Sequence, residues 1–459
     1  MYFKFVYDKT LAQASYVIGC QEKAIAAVID PKRDVDTYIE IAQENELQIT
    51  HILETHIHAD FLSGSRELAF LTGADLYLSD EGDEYWQYQF PHIGLKNGSR
   101  IELGNVLIEA LHTPGHTPEH LSYLIIDKAI CDEPVMLFSG DFVFVGDIGR
   151  PDLLDKLTGD KASSGIGAHQ QFSSLQKLSK LKDYIQIWPG HGAGSSCGKA
   201  IGAVPMSTLG YEKIRNWAMQ FSNDKDGFVE ELLANQPEPP RYYAMMKKLN
   251  KEKRKLLTEI PVIDNLSEKA YKKAKKSDLQ LIDTREWNDY AKGHLKNSWN
   301  ITNYDSFSTG MGWLMNYNKS FIVIARKDEI EDVTRKLMRI GMDNLYGFIT
   351  PKQLKEWEKG NLVSANTIDK NELKIRMNDS DVQLIDVRSE REYNEGHIGN
   401  AVNLFYGTID ENIDTLPKEN QIIVYCRTGG RSAIAYSVLE SIGLENITIY
   451  TGGWVNWNE

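Results

Sequence analysis

The sequence predicts an α/β protein built from several domains, and three observations support this fold class. The chain has 459 residues, which is more than one hydrophobic core usually serves. Apolar strand-like segments alternate with helical stretches along most of its length. The C-terminal part contains an internal repeat, because residues 277–297 and 380–400 are identical at 11 of 21 positions with an offset of 103 residues. A duplicated domain therefore follows a different N-terminal domain.

Composition and charge narrow the possible functions. The chain is 42% hydrophobic and 25% charged, it has no apolar run long enough for a membrane helix, and its N-terminus lacks a signal-peptide pattern. We therefore expect a cytoplasmic protein with no membrane partner. The formal charge of −14 would repel phosphate backbones, so we expect no nucleic-acid partner. The four cysteines are far apart and include no CxxC pair, which argues against a disulfide framework: Cys20, Cys131, Cys197 and Cys426.

The predicted domain boundaries follow from breaks in this pattern. The first domain covers residues 1–245 and closes in a proline-rich stretch, and a Lys-rich connector covers 246–265. The two repeat copies cover 266–362 and 363–459. In each copy a strand, a helix, a second strand and another helix follow one another, which indicates a parallel sheet covered by helices. A ligand would bind at the carboxyl ends of its strands.

The stretch "THIHADF" (55–61) is the first candidate for chemistry. His56 and His58 are two residues apart, so on an extended segment they point the same way, and Asp60 continues the pattern. Three further candidate ligands each follow a glycine, which lets the backbone approach a site closely: His116, Asp141 and His191. Together these six residues predict a metal site. Four other histidines of this domain are expected to be packed or surface residues: His51, His92, His112 and His169.

The motifs "THIHAD", "TPGHT", "SGD" and "PGHG", in this order, resemble the metallo-β-lactamase superfamily. The resemblance covers residues 1–245 and implies an αββα sandwich with a metal at one edge of its two sheets. Members that hold two zinc ions read HxHxDH, and the last histidine of that motif is Phe61 here. Because phenylalanine offers no lone pair, the resemblance implies a site for one metal ion.

Within this superfamily the sequence resembles the persulfide dioxygenase branch. That resemblance implies one Fe(2+) per chain, held by His56, His116 and Asp141 with open positions for substrate and O₂. His58, Asp60 and His191 would then orient the ligands or the substrate, and His58 is also open as a fourth ligand.

Two further stretches bear on this branch. "GDIGRPDL" (146–153) resembles its GRxD signature, which implies that Arg150 contacts a thiol-bearing substrate with support from Asp152. The alternative is an Arg-Asp pair that only holds a loop. Cys197 follows His191 in a Gly/Ser-rich loop and is either a sulfur relay or an incidental buried cysteine.

The stretch "VYCRTGGRS" (424–432) is the second candidate centre. A cysteine at a strand end, followed by a glycine loop and a helix, lets backbone N–H groups point at the sulfur. Arg427 and Arg431 add positive potential, which favours a thiolate or a persulfide anion at Cys426. The other residues of the predicted loop are Thr428, Gly429, Gly430 and Ser432.

This C-terminal block resembles rhodanese domains, with "LIDVR" (384–388) and "EGHIGNAVN" (395–403) as further signatures. The loop is one residue shorter than in cysteine phosphatases, which favours sulfur transfer over phosphate chemistry. We expect structural roles for Asp386, Arg388 and His397. In the first copy Ala325 replaces the cysteine, so we expect that copy to be inactive and to serve as a spacer or docking surface.

The whole chain resembles bacterial fusions of a persulfide dioxygenase with rhodanese domains. That resemblance implies oxidation of a low-molecular-weight thiol persulfide by O₂ to sulfite, with Cys426 transferring sulfane sulfur to form thiosulfate, in a chain that self-associates as a homo-oligomer. Two alternatives stay open: a zinc thioester hydrolase of the glyoxalase II type, and a sulfur carrier with an unused metal domain. The sequence leaves the identity of the thiol carrier open.

Overall fold

The computed structural model describes residues 1–151, 163–221, 223–236, 238–277, 279–413, 416 and 420–459. The chain forms two compact units, of which the first contains Met1–Ile260 and Met338–Gly341 and the second contains Pro261–Leu337 and Met342–Glu459. Within the described ranges, no helix is long and apolar enough to cross a membrane.

The first unit contains two six-stranded sheets. The strands of the first sheet lie in sequence order: β1 (Tyr2–Asp8), β2 (Gln13–Cys20), β3 (Ile25–Ile29), β4 (Gln48–Leu53), β5 (Asp75–Ser79) and β6 (Ile93–Leu95). The second sheet has the order β12-β11-β10-β9-β8-β7, with β7 (Arg100–Leu103), β8 (Val106–His112), β9 (Leu121–Asp127), β10 (Met136–Gly140), β11 (Gln186–Pro189) and β12 (Ser207–Thr208). Strands β3 to β6 are parallel, and so are β10 and β11.

Helices cover the outer faces of both sheets. The first sheet is covered by α1 (Asp36–Glu44) and α2 (Ser65–Thr72), and the second by α3 (Ser163–Leu178), α4 (Leu209–Arg215) and α5 (Lys225–Leu233); α6 (Tyr243–Lys251) follows. Strand β2 is buried on both sides, because Tyr16 and Ile18 face the second sheet while Val17 faces the helices. This arrangement is an αββα sandwich, and it confirms the predicted fold class.

The second unit contains one sheet for each repeat copy. The first copy has a parallel sheet of order β15-β13-β16-β17, formed by β13 (Gln280–Asp283), β15 (Trp299–Asn300), β16 (Phe321–Ile324) and β17 (Leu345–Ile349), and a small pair of β14 (His294–Leu295) with β18 (Leu362–Val363). The second copy has the order β19-β23-β22-β20-β21, with β19 (Asn366–Ile368), β20 (Val382–Asp386), β21 (Val402–Asn403), β22 (Gln421–Tyr425) and β23 (Ile447–Tyr450). All neighbours in this sheet are parallel.

The helices of the second unit follow the predicted alternation. Those of the first copy are α7 (Glu268–Ala274), α8 (Trp287–Lys292), α9 (Phe307–Leu314), α10 (Ile330–Arg339) and α11 (Pro351–Trp357). Those of the second copy are α12 (Lys370–Arg376), α13 (Glu390–Asn394), α14 (Gly430–Ser441) and α15 (Gly453–Asn458). The confirmed fold class thus includes two rhodanese-like parallel-sheet domains.

Residue 245, the predicted end of the first domain, falls within the first compact unit. That residue lies inside helix α6, and the first unit continues to Ile260. Asn250 on this helix donates to the carbonyls of His58 and Phe61 at 2.8 Å each and accepts from Ser63 N–H at 2.9 Å. The start of the predicted connector, 246–265, is therefore a helix that packs on the "THIHADF" loop.

Candidate metal centre and sulfur-transfer loop

Four strands of the first unit, β4, β8, β10 and β11, precede the predicted metal ligands, which lie together at one edge of the sandwich. Strands β3 and β4 run parallel, and β8, β10 and β11 share one direction in the second sheet, so their carboxyl ends meet. The "THIHADF" loop begins just after β4, His116 follows β8, Asp141 follows β10 directly, and His191 follows β11. The edge is compact, because a Cβ on Gly140 (φ +52°) would lie 2.6 Å from His120 Nε2.

The structure brings His56, His116 and Asp141 together as one buried group. Their ligand atoms all lie within 4.8 Å of one another. Asp141 Oδ2 lies 4.0 Å from His56 Nε2 and 3.6 Å from His116 Nε2. Atoms that share one metal ion about 2.1 Å away lie about 3 to 4 Å apart, so these spacings suit a single ion.

The hydrogen bonds around these histidines leave their Nε2 atoms as acceptors. His116 Nδ1 donates to the carbonyl of Arg150 at 2.8 Å. The Thr55 hydroxyl donates to Asp30 and therefore accepts from His56 Nδ1, at 2.9 Å each. Burial lowers the pKa of both histidines, well below the ordinary value for His56, which favours the neutral form of both rings.

Acceptor atoms thus face one another at the centre of this group. His56 Nε2 and both carboxylate oxygens of Asp141 are buried and form no hydrogen bond to any described residue. Buried lone pairs that face each other without a proton between them are unfavourable unless a cation lies among them. The residues present therefore fit a metal ion.

A second group adjoins the first. The ligand atoms of Asp60, His191 and Cys197 lie within 4.8 Å of one another. His191 Nε2 lies 3.3 Å from Asp60 Oδ2 and 3.5 Å from Asp141 Oδ1. Asp141 therefore stands between the two groups with one oxygen toward each. The sequence indicated Asp60 and His191 as possible ligands or supports and Cys197 as a possible relay, and the structure arranges the three as a possible second ligand set.

Cys197 is buried in this second group. Burial, followed by the Asp141 and Asp60 carboxylates, raises the pKa of its thiol well above the ordinary value. A protonated thiol is a poor nucleophile, but a neighbouring cation would favour loss of its proton. The sulfur-relay role predicted for Cys197 stays a prediction: its location at the metal centre suits the role, and its protonation opposes it.

His58 lies outside both groups but adjoins the first, because its ring lies 4.2 Å from that of His56, centroid to centroid. Its Nε2 lies 3.1 Å from Asp30 Oδ1, while its Nδ1 is buried and has no hydrogen bond to any described residue. Burial disfavours the protonated form of this ring, but the adjacent Asp30 carboxylate stabilises that form more strongly and raises the pKa of His58 to about 9. A carboxylate behind a histidine is the usual arrangement for fixing a metal-binding ring. Phe61 packs on the His58 ring, with 4.3 Å between their centroids.

The structure places Arg150 beside the metal group and buries it almost completely. Its guanidinium donates to the Ser196 carbonyl at 3.2 Å, and its backbone N–H donates to the Cys197 carbonyl at 3.2 Å. Arg150 therefore holds the loop that carries Cys197, in addition to any contact with substrate. Asp152, predicted to support it, lies outside the described residues.

Three residues of this centre escaped sequence reasoning. His120 Nε2 accepts from the Asp141 N–H at 3.1 Å, so it fixes the backbone of a ligand. Asp30 and Asn250 hold the two ends of the "THIHADF" segment through Thr55, His58 and the loop carbonyls. The position of Asp30 at the end of the buried strand β3, parallel to β4, was the available signal.

Asp30→Asn should weaken metal binding about tenfold or more, because the amide cannot accept from Thr55 N–H, the Thr55 hydroxyl and His58 together. Metal affinity measured by competition with a chelator checks this. Asp75→Asn, an exposed aspartate of the same sheet, is the matched control. Equal affinities for Asp30→Asn and the wild type would show that Asp30 does not orient the site.

The second predicted centre lies at the carboxyl end of β22. In the second copy Asp386 pairs with Tyr425, and in the first copy the equivalent Asp283 pairs with Ile324. The next residue along each strand is Cys426 in the second copy and Ala325 in the first, so Ala325 occupies the position of Cys426. Cys426 is buried, and Gly429 N–H donates to its Sγ at 3.1 Å. The loop continues into helix α14, as predicted.

The arginines of this loop differ in their environments. Arg431 forms two hydrogen bonds to Glu392, at 2.6 and 2.7 Å. Burial opposes the charge of Glu392, but Arg431 prevails and lowers the pKa of this carboxyl to about 2. Arg427 and Thr428 are exposed, and Arg427 lines an open cleft of about 490 Å³ with Arg388 and Glu392. Arg431 is thus fixed by a partner, and Arg427 is accessible to an anion.

Gly430 and Ser432 complete the loop, and the signature residues Arg388 and His397 contact residues of their own copy. Gly430 begins helix α14, and the Ser432 hydroxyl is buried without a hydrogen bond to any described residue. Arg388 donates to Asp386 at 2.6 Å and to the Gly396 carbonyl at 2.7 Å. His397 stacks on Tyr393 with 3.8 Å between their centroids.

Comparisons with known proteins agree with this architecture. The model of the metallo-beta-lactamase superfamily matches residues 9–191, and the model of the rhodanese-like domain matches residues 266–349 and 369–459. A solved structure of a metallo-beta-lactamase from Staphylococcus aureus subsp. aureus COL is 43% identical, with a TM-score of 0.72, and the match covers 76% of this chain and 99% of that one.

Curated relatives match less than half of the chain. The probable polyketide biosynthesis zinc-dependent hydrolase BaeB of Bacillus velezensis is 27% identical over 195 residues, which is 42% of this chain and 79% of the relative. The hydroxyacylglutathione hydrolase of Francisella tularensis subsp. novicida is 33% identical over 189 residues, which is 41% of this chain and 66% of the relative.

The chain therefore belongs to the metallo-beta-lactamase superfamily. Two rhodanese-like domains follow the metallo-beta-lactamase domain in the same chain.

Proposed function

We propose that the chain is a non-haem Fe(II) persulfide dioxygenase coupled to a rhodanese sulfurtransferase. The first reaction would be RSSH + O₂ + H₂O → RSH + SO₃²⁻ + 2H⁺, in which the sulfane sulfur is oxidised and O₂ is reduced. The second would transfer a sulfane sulfur through Cys426. The partners of the chain are then a low-molecular-weight thiol persulfide, O₂, sulfite and thiosulfate.

One observation carries the dioxygenase half of this proposal. His56, His116 and Asp141 form a buried group of two histidines and one carboxylate, and Phe61, at the motif position where two-zinc members have a histidine, packs on the His58 ring. A ferrous ion held by such a group supplies open coordination positions for a persulfide sulfur and for O₂. Arg150, with support from Asp152, would hold the anionic body of the thiol near this centre.

The sulfurtransferase half is supported by the Cys426 loop. The Cys426 thiolate would attack the sulfane sulfur of a persulfide, the thiolate RS⁻ would leave, and Cys426 would carry the sulfur as Cys–S–S⁻. Sulfite would then attack this outer sulfur, which gives thiosulfate and restores the Cys426 thiolate. The Gly429 N–H would stabilise the sulfur anion in both states. Tethering the two sites raises the effective concentration of sulfite at Cys426.

A zinc-dependent thioester hydrolase of the glyoxalase II type is the second candidate, and two observations favour it. Asp60, His191 and Cys197 form a second group of potential ligands next to Asp141. The curated relatives of the chain include a hydroxyacylglutathione hydrolase. Such a reaction needs a metal-bound hydroxide, commonly between two zinc ions.

Metal content and O₂ uptake separate the two candidates. For the dioxygenase we expect one iron per chain after anaerobic purification, and O₂ consumption when a persulfide of glutathione or coenzyme A is added. Cys197→Ser should then leave the metal count unchanged, because a one-iron site does not use this thiol. Two zinc ions per chain, one of them lost in Cys197→Ser, together with thioester cleavage and no O₂ uptake, would overturn the proposal in favour of the hydrolase.

A further inference from the structure

The two rhodanese-like copies meet along helix α14, which directly follows the Cys426 loop. Ser437 accepts from the Asn300 N–H at 3.0 Å, and the Ser441 hydroxyl accepts from Trp299 Nε1 at 2.9 Å. Glu440 lies 3.2 Å from His294 Nε2, and this histidine is fully buried. One face of the helix therefore packs against the first copy and is fixed there by specific polar contacts.

The sequence of helix α14 agrees with this arrangement. Residues 432–439, "SAIAYSVL", contain no charge, and most of them are buried. A helix without a charged face is normally covered on all sides. Its own sheet covers one side, and the first copy covers another.

The same interface reaches the catalytic loop through Trp287, the first residue of helix α8. A Cβ placed on Gly429 would lie 2.9 Å from Trp287 Cε2 and 3.0 Å from Cζ2, so the indole lies directly on this glycine. Gly429 is the residue whose N–H donates to Cys426 Sγ. The indole therefore restrains a sulfur-binding amide of the loop.

Such a restraint matters because this part of the loop is intrinsically flexible. Gly429 has a φ of +112°, a conformation that favours glycine, and Gly430 follows it directly. Two consecutive glycines give the backbone many alternatives to the conformation that points the N–H at sulfur. The bulk of Trp287 excludes the backbone conformations in which Gly429 moves toward the first copy.

A second tryptophan of the first copy packs beside the same site. A Cβ on Gly407 would lie 2.6 Å from Trp313 Cδ2, and the Trp313 ring lies 4.9 Å from that of Phe405 at 80°. Tyr406, between these two residues, is buried and interacts electrostatically with Arg431 of the loop. The first copy thus contacts the surroundings of Cys426 at two separate points.

We propose that the first rhodanese-like copy, whose strand ends in Ala325 rather than cysteine, positions the sulfur-transfer loop of the second copy, with Trp287 as the positioning residue. The copy is then a structural part of the active site rather than a spacer. The inference rests on the proposed sulfur transfer at Cys426. Trp287 acts through the Gly429 N–H and takes no part in bond making or breaking.

The test compares Trp287→Ala, Trp287→Phe and the wild type in the full chain. The rate at which iodoacetamide alkylates Cys426, followed by peptide mass spectrometry across pH, should fall about tenfold near neutral pH in Trp287→Ala, because one fixed donor to the sulfur is lost. The kcat for thiosulfate formation should fall by about the same factor, with the KM for sulfite changed less than about twofold. Trp287→Phe should recover most of the alkylation rate and most of the kcat, since its ring still covers Gly429.

Trp299→Phe is the matched control, because it removes one hydrogen bond from the same interface at the far end of helix α14. Alkylation at the wild-type rate in Trp287→Ala, or equal losses in Trp299→Phe and Trp287→Ala, would overturn the inference. If Trp287→Ala does not fold, Trp287→Leu takes its place, with the same expected loss. Alkylation needs no turnover, so it decides the role of Trp287 even if the wild type forms no thiosulfate.

Discussion

Replacing His116 by alanine should remove the bound metal and the persulfide-dependent O₂ uptake together, while sulfur transfer at Cys426 continues. The substitution deletes one of the three proposed ligands and also the bond from His116 Nδ1 to the Arg150 carbonyl. Loss of a supporting residue alone commonly costs about 10- to 100-fold in metal affinity, so loss of a ligand should cost at least about a hundredfold. Metal analysis and an oxygen electrode measure the two losses.

The matched control is His169→Ala, which removes an exposed histidine of helix α3 in the same unit. It should keep both the metal and O₂ uptake. Thiosulfate formation from an added persulfide and sulfite should match the wild type in both variants, since Cys426 belongs to the other compact unit. Full O₂ uptake in His116→Ala would contradict the assignment of His116 as a ligand.

The parts of the site that sequence could predict are those set by local spacing. His56 and His58 follow a parallel strand, His116, Asp141 and His191 follow strand ends, and parallel or co-directed strands bring such ends to one edge. The duplication was predictable for a similar reason, because the two copies repeat the same residue pattern. Aligning the equivalent strands of the two copies also shows that Ala325 replaces Cys426. The confirmed αββα fold came from the motif resemblance rather than from periodicity.

The parts that sequence could not predict depend on partners distant in the chain. Asp30 is 28 residues from His58, and Asn250 is 192 residues from it. Nothing in the local pattern around Asn250 distinguishes a loop-binding amide from a surface one on a Lys-rich helix. Cys197 was placed near the site only as one of two options, because loop conformation rather than strand register decides its position. Trp287 was missed for the same reason, since its role depends on how two domains pack.

Cys426→Ser should abolish sulfur transfer and leave O₂ uptake intact. The serine hydroxyl cannot carry a sulfane sulfur, because its oxygen is a far weaker nucleophile toward sulfur than a thiolate and forms no stable persulfide. Thiosulfate formation should therefore fall at least about a thousandfold, as expected for loss of a nucleophile. The fold should tolerate the change, since the hydroxyl can still accept from the Gly429 N–H that now binds Sγ.

The products of the coupled reaction make this variant informative. When a persulfide and O₂ are supplied to Cys426→Ser, sulfite should accumulate, whereas the wild type should convert part of it to thiosulfate. Cys131→Ser, which changes an exposed cysteine of the first unit, should give the wild-type product ratio. Chromatography of the two sulfur anions measures that ratio. Continued thiosulfate formation in Cys426→Ser would mean that another thiol, with Cys197 at the metal centre as the first candidate, transfers sulfur directly to sulfite.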